Sequence, residues 1–199
     1  MNKYSSLKVG VLALQGDYAR HCYQLELLGV TPVEVRTAEA LVKVAALIIP
    51  GGESTTINTL IDRFDLRRPL VEFGQAKGVW GTCAGMIMMA KNVEENRAGL
   101  TPLGLIDIDV VRNGYGRQVF SFEESLTADL GNGPAGLTAT FIRAPRVTRL
   151  GAKVQALAAY RNSPVLLRQG HLVASSFHSE LDDDTTLLRY FLQKVVGGA

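Results

Sequence analysis

Gly78-Val79-Trp80-Gly81-Thr82-Cys83-Ala84-Gly85 is the stretch that decides how this chain folds. An apolar run leads into Cys83, and Gly81 and Gly85 stand two residues before and two residues after it. Small residues at those places permit a tight strand-to-helix turn that exposes the middle side chain. The pattern is the thiol version of the G-x-S-x-G elbow, and it brings backbone N–H groups close to the sulfur. A helix starting at Ala84 would also aim its positive dipole end at Cys83 and favour the thiolate. A buried structural cysteine is the alternative reading. Two glycines in elbow register weigh against it.

Working outward, residues 7–14 read as a buried strand. Gln15-Gly16-Asp17 is a turn with Asp17 as an N-cap, and a helix follows to about Leu28 and stops at Gly29. Residues 32–35 form a second strand and residues 37–44 a short helical connection. Residues 45–49 form a third strand, nearly all apolar, as expected when both faces of a sheet are covered. Pro50-Gly51-Gly52-Glu53-Ser54 ends that strand and opens a helix, with Ser54 as a candidate cap. A further helical stretch near residues 66–74 precedes the elbow strand. Strands that alternate with helices predict a parallel sheet in an α/β domain.

Past the elbow the pattern changes. Residues 103–111, 119–122, 140–142 and 154–160 are strand candidates, and residues 132–136 read as a surface loop. Residues 165–174 read as a hairpin about Gln169-Gly170. A last helix near residues 185–196 carries Leu187, Leu188, Phe191, Leu192 and Val195 on one face. No repeat or domain boundary is visible, so residues 1–199 read as a single domain.

Composition sets the class. The chain has 199 residues, 47% apolar and 20% charged, which fits one globular domain with a substantial core. A net charge of +2 makes no electrostatic case for nucleic acid or an anionic membrane. No apolar run reaches membrane-spanning length, and residues 1–6 lack the apolar segment of a signal peptide. Cys22 and Cys83 make neither a disulfide framework nor a zinc site, and a cytoplasmic location is expected.

A thiol nucleophile needs a base, and the base needs an orienting partner. Of the three histidines, His21 in the first helix and His171 near the hairpin turn read as surface or structural residues. His178 differs, because Glu180 follows two residues later. In extended backbone, residues i and i+2 share a face about 6.6 Å apart. The carboxylate can then fix the imidazole tautomer and support an imidazolium. Asp182, Asp183 and Asp184 read as a solvated loop and helix start. Gly51 and Gly52 lie past the carboxyl end of a strand, where open α/β sheets gather ligands. Their N–H groups, with that of Ala84, could hold an oxyanion. Glu53 could hold a ligand ammonium or favour the helix start. Arg112-Asn113-Gly114-Tyr115-Gly116-Arg117-Gln118 could clamp a carboxylate or be a surface loop. Phe141-Ile142-Arg143-Ala144-Pro145 supplies a third arginine after a strand.

Taken together, these blocks resemble one family. Gly10-Val11-Leu12-Ala13-Leu14-Gln15-Gly16, Pro50-Gly51-Gly52-Glu53-Ser54-Thr55-Thr56, the Cys83 elbow, Arg112-Asn113 with Gly116-Arg117-Gln118, Phe141-Ile142-Arg143-Ala144-Pro145, and Phe177-His178 with Glu180 appear in that order. The set is similar to the glutaminase subunits of two-component pyridoxal 5′-phosphate synthases, within the class I (triad-type) glutamine amidotransferases. The elbow and the His/Glu pair are shared across class I. The Leu-Gln-Gly, Arg-Asn and Phe-Ile-Arg-Ala-Pro blocks point to the vitamin B6 branch. The resemblance implies a flavodoxin-like, doubly wound, mostly parallel sheet with helices on both faces. It implies a triad of Cys83, His178 and Glu180, with Gly52 and Ala84 at the oxyanion. It further implies glutamine contacts from Gly51, Gly52, Glu53, Arg112, Ile142 and Arg143, no cofactor, and docking onto a (β/α)₈ synthase subunit. The family usually reads His-Pro-Glu, and here position 179 is Ser. Tyr115 stands where Phe is frequent. Two other readings share parts of this pattern: the glutaminase of a different amidotransferase, and a non-glutaminase cysteine protein of similar architecture. The His178-x-Glu180 pair speaks against the second.

Overall fold

The computed structural model describes residues 4, 6–96, 99–114 and 121–196. Its first half alternates strand and helix. The elements are β1 (Lys8–Leu12), α1 (Tyr18–Leu27), β2 (Thr31–Val35), α2 (Ala38–Leu41), β3 (Ala46–Ile49), α3 (Ser54–Arg63), α4 (Arg67–Ala76), β4 (Gly78–Thr82) and α5 (Ala84–Met89). The second half is mostly strand: β5 (Ala90–Glu94), β6 (Ile106–Val111), β7 (Phe122–Asp129), β8 (Pro134–Phe141), β9 (Arg146–Leu150), β10 (Gln155–Tyr160), β11 (Ser163–Gln169) and β12 (Leu172–Ser175). The last helix, α6 (Thr186–Tyr190), runs on as a π-helical segment, Phe191–Val196.

A seven-stranded sheet in the order β10-β11-β12-β4-β3-β1-β2 forms the centre. From β12 to β2 every pairing is parallel, and at the other edge the β12–β11 and β11–β10 pairings are antiparallel. The parallel part has the flavodoxin-like order, with β12 as its fifth strand. Alternation along the buried strands divides the core. Leu47, Ile49 and Val79 face one layer, where α2, α3, α4 and α5 bring Leu41, Ile57, Leu70 and Met86. Ala46, Ile48 and Trp80 face the other, where α1 and the last helix bring Leu25, Leu188 and Phe191. Helices therefore cover both faces, which is why β3 and β4 are buried along their whole length. Among the described residues no helix is long and apolar enough to cross a membrane.

Two further sheets flank this core. β5, β6 and β9 form one, and the β7–β8 hairpin forms the other. The sequence pattern missed β5 and β9. Both are short and carry charges on exposed positions, and their neighbours lie far away in sequence. Pro134, Ala135 and Gly136 belong to β8, so the expected 132–136 loop shrinks to its first residues. Eight successive cross-strand pairs with β7 outweigh the turn character of Gly and Pro there. The hairpin after β11 turns on Gly170-His171, one residue later than Gln169-Gly170. Glu53, not Ser54, caps α3, with its side chain accepting from Thr56 N. Asp17 precedes α1 without a side-chain capping bond. Val119 and Phe120 lie outside the described residues.

Helix α5 lies very close to the sheet. A Cβ added at Gly85 would stand 2.0 Å from Ile49 O, a backbone atom that cannot step aside cheaply. Gly85→Ala should therefore destabilise the fold by about 1–3 kcal/mol through overpacking. Gly136→Ala, with nothing within 4 Å of the added carbon, should stay within about 0.5 kcal/mol of the parent. Urea unfolding midpoints check both. Equal midpoints for Gly85→Ala and the parent would contradict the close helix–sheet approach.

Candidate active site

The site forms where β3, β4 and β12 end on one edge of the sheet. Cys83 is the residue between β4 and α5, and its backbone sits at φ 48° and ψ −103°. A positive φ is costly for a residue with a Cβ and persists only where the surroundings fix it. Here Cys83 N donates to Ser175 O at 2.8 Å, and Ile87 N donates to Cys83 O at 3.2 Å. The elbow is thus tied to the end of β12 on one side and to its own helix on the other. The thiol is buried, with Sγ 3.8 Å from Ile142 O.

His178 follows β12 and is held by its backbone. It exchanges two hydrogen bonds with Thr140 in β8, His178 N to Thr140 O at 2.8 Å and Thr140 N to His178 O at 3.1 Å. Its ring occupies space that exists only because residue 51 is glycine. A Cβ at Gly51 would stand 2.3 Å from His178 Cε1. On the far side, His178 Nδ1 lies 2.6 Å from Glu180 Oε1, and Glu180 is fully buried. The pair is reached through bends rather than through straight extended backbone.

Helix α1 grips the loop that carries Glu180. Arg20 Nε donates to Glu180 O and Arg20 Nη2 to Leu181 O, each at 3.0 Å. Gln24 Nε2 lies within 3.0 to 3.3 Å of Ser179 O, Asp182 O and Asp184 O. These bonds hold Ser179 and Glu180 without the ring restraint of a proline at 179.

The charges follow from this geometry. Burial works against an ionised Glu180, yet His21, where acid protonates it, and the bonded His178 outweigh it and hold the carboxyl below its usual range. Burial likewise works against a charged His178. Its contacts with Cys83 and Glu180 prevail and raise its pKa to about 10. His178 therefore carries a proton at neutral pH.

Gly52, Glu53, Cys83 and Ala84 line one cleft of about 280 Å³ with Arg112, Ile142, Arg143 and His178. Gly51 packs behind the His178 ring, and Glu180 stands behind that ring as its partner. Arg112 Nη2 is 3.1 Å from Glu53 Oε1, so these two site residues are already paired with each other. Glu53 Oε2 meanwhile accepts from Thr56 N at 2.7 Å and from the hydroxyls of Thr55 and Thr56. These bonds outweigh burial and lower the Glu53 pKa to about 2. Arg143 and Asn113 both have positive φ, which turns the two loops sharply at the cleft. Tyr115, Gly116, Arg117 and Gln118 lie outside the described residues. His171 is elsewhere, with Nε2 2.9 Å from Gly74 O. Among the described residues, no three His, Cys, Asp or Glu side chains cluster as metal ligands would. A larger hollow of about 530 Å³, beside Asp129, Pro134 and Ala158, contains no thiol or imidazole.

Gln15 and Gln24 had no individual role assigned from sequence, and His21 read only as a surface or structural residue. Gln15 Oε1 accepts from Glu53 N at 2.7 Å and so braces the Gly51-Gly52 turn from the end of β1. Gln24 and His21 are buried polar residues on the sheet side of α1. The polar entries in an otherwise apolar helix face were the available signal, but periodicity alone assigns such residues to the surface.

Comparison with known proteins gives the class of the chain, the glutamine amidotransferases. The model of the SNO glutamine amidotransferase family matches residues 11–197, and the chain belongs to that family. It is 48% identical over 191 residues to the pyridoxal 5′-phosphate synthase subunit PdxT of Desulforudis audaxviator, covering 95% of this chain and 99% of that one. A solved glutamine amidotransferase superposes with a TM-score of 0.87 at 44% identity, covering 94% of this chain and 98% of that one. A chain from the PurLQS structure of Thermotoga maritima shares the fold at a TM-score of 0.71 with 12% identity, covering 96% and 98%.

The hydroxyl of Ser179 is buried and, among the described residues, has no hydrogen-bond partner. Removing it relieves a desolvation penalty of roughly 1–3 kcal/mol at the cost of one small void. Ser179→Ala should therefore be at least as stable as the parent in thermal melting. A lowered melting temperature would show that this hydroxyl is satisfied.

Proposed function

We propose that this chain hydrolyses L-glutamine to glutamate and ammonia through Cys83, His178 and Glu180, and passes the ammonia to a separate (β/α)₈ subunit that makes pyridoxal 5′-phosphate. The carrying observation is the strained Cys83 elbow facing a histidine whose far nitrogen is 2.6 Å from a buried carboxylate. The names of the relatives support the choice of partner. The cytoplasm, where thiols stay reduced, suits a cysteine nucleophile. One domain spanning residues 1–199 carries the reaction.

Cys83 Sγ attacks the side-chain amide carbon of glutamine. The carbonyl oxygen gains charge and is met by the N–H groups of Gly52 and Ala84. The C–N bond then breaks, and His178 gives its proton to the departing nitrogen, which leaves as ammonia. A γ-glutamyl thioester remains on Cys83. Water attacks that carbon, His178 takes the water proton, and glutamate leaves with the thiol restored. Glu180 keeps Nδ1 protonated, so that Nε2 is the nitrogen that exchanges protons with the reacting groups. Glu53 and Arg112, paired at the mouth of the cleft, meet the α-amino and α-carboxyl groups of glutamine. Ile142 and Arg143 close the other wall. No step requires a metal or an organic cofactor. Delivery to a partner keeps the ammonia out of bulk water, where most of it would be protonated and non-nucleophilic.

Ammonia release from glutamine, measured with and without the synthase subunit, tests the proposal. The full pair should release ammonia, and Cys83→Ala should lower turnover about a thousandfold or more. His178→Asn should be nearly as damaging. Glu180→Gln should retain more activity, because the carboxylate orients the base and does not touch the substrate. Turnover by Cys83→Ala above a few per cent of the parent would remove Cys83 from its role. Wild-type turnover by His178→Asn would do the same for the base.

A further inference from the structure

His21 takes no part in the reaction just described, yet it is 1% exposed and sits at the centre of the site's rear wall. Its Nε2 is 3.2 Å from Thr82 Oγ1 and 3.6 Å from Glu180 Oε1. Its ring stands edge-on to Trp80, with centroids 5.7 Å apart and planes at 81°. Among the described residues, His21 Nδ1 has no hydrogen-bond partner. The charged or titratable groups that face it are Glu180 and His178 from the loop after β12 and Asp17 ahead of α1. Burial lowers its pKa against the pull of Glu180, so the ring is neutral at neutral pH.

A neutral imidazole has one N–H, and its place matters here. With the proton on Nδ1, a donor would be buried without an acceptor, and the Nε2 lone pair would face a carboxylate. With the proton on Nε2, the N–H points to Thr82 Oγ1, and the positive edge of the ring turns toward Glu180 Oε1. That oxygen then lies between two imidazoles, 2.6 Å from His178 Nδ1 and 3.6 Å from His21 Nε2. Glu180 Oε2, also buried, has no partner among the described residues.

We propose that His21 is a positioning residue for the triad carboxylate: its Nε2–H edge holds Glu180 Oε1 against His178 Nδ1 and ties it, through Thr82, to the residue that precedes the nucleophile. This rests on the glutaminase reading above. The role is distinct from core filling, because leucine would fill the same space beside Trp80 without supplying an N–H. Glutamine places its Nε2 where the Nε2 of histidine lies, and asparagine places its amide where Nδ1 lies.

The test compares His21→Leu, His21→Asn and His21→Gln in the full chain with the synthase subunit present, on L-glutamine. His21→Leu and His21→Asn should lower kcat by about tenfold or more with KM changed by less than about twofold, as displacement of a group that orients the base does. His21→Gln should recover most of the loss. A kcat for His21→Leu equal to the parent, a loss carried by KM, or a His21→Gln as poor as His21→Asn would each overturn the proposal. A second readout does not need activity. The strongly downfield proton of the His178 Nδ1–H bond, seen by NMR, should move upfield in His21→Asn and return in His21→Gln. An unmoved resonance in both variants would also overturn it. If the parent releases no ammonia from glutamine with its partner present, the glutaminase reading fails, and this resonance still decides whether His21 positions Glu180.

Discussion

Burying an ionised carboxylate is costly unless charge and hydrogen bonds surround it. Glu180 is fully buried, and the architecture around it meets one carboxylate oxygen and the backbone carbonyls of its loop. His178 meets one oxygen at 2.6 Å, and His21 approaches the same oxygen from helix α1 at 3.6 Å. Its backbone carbonyl is taken by Arg20, and the carbonyls on either side by Gln24 and Arg20. Helix α1 therefore does more than cover the sheet. It fixes the one loop that has no regular secondary structure and carries two of the three proposed triad members.

The nucleophile is fixed by a separate device. Backbone strain at Cys83 is sustained by the bond from its N–H to Ser175 O and by the close seat of α5 on β3. Because Ser175 ends β12, and His178 follows three residues later, one strand end serves both the thiol and the imidazole. Thr140 completes the arrangement from the β7–β8 hairpin. A parallel sheet brings these strand ends to one edge, which is where α/β folds place their ligands. The same fold persists in a Thermotoga maritima neighbour at 12% identity, so the architecture tolerates nearly complete replacement of the residues that build it.

Much of this was legible in the chain. Gly81 and Gly85 around Cys83, the apolar run 45–49, and His178 with Glu180 are local signals, each readable over a few residues. They indicated the parallel core and the residues that the fold brings to one cleft, Cys83 and His178. What stayed hidden depends on distant pairing. β5 and β9 are short and partly charged, and they are strands because β6 lies between them. Pro134-Ala135-Gly136 carries turn residues but is paired along its length with β7. His21 read as a surface or structural residue and Gln24 had no individual role assigned, and only the folded structure shows that the acidic loop packs over them. The pairing of Arg112 with Glu53 was hidden for the same reason, since 59 positions separate the two residues.

The central claim is that the strained thiol carries the substrate's acyl group. Acid quenching of the complex during glutamine turnover, followed by peptide mass analysis, tests it directly. A γ-glutamyl mass increment on the peptide that contains Cys83, lost when Cys83 is replaced by alanine, is the predicted result. Glutamate formation with that peptide unmodified throughout turnover, or an increment on the peptide that contains Cys22 instead, would contradict it.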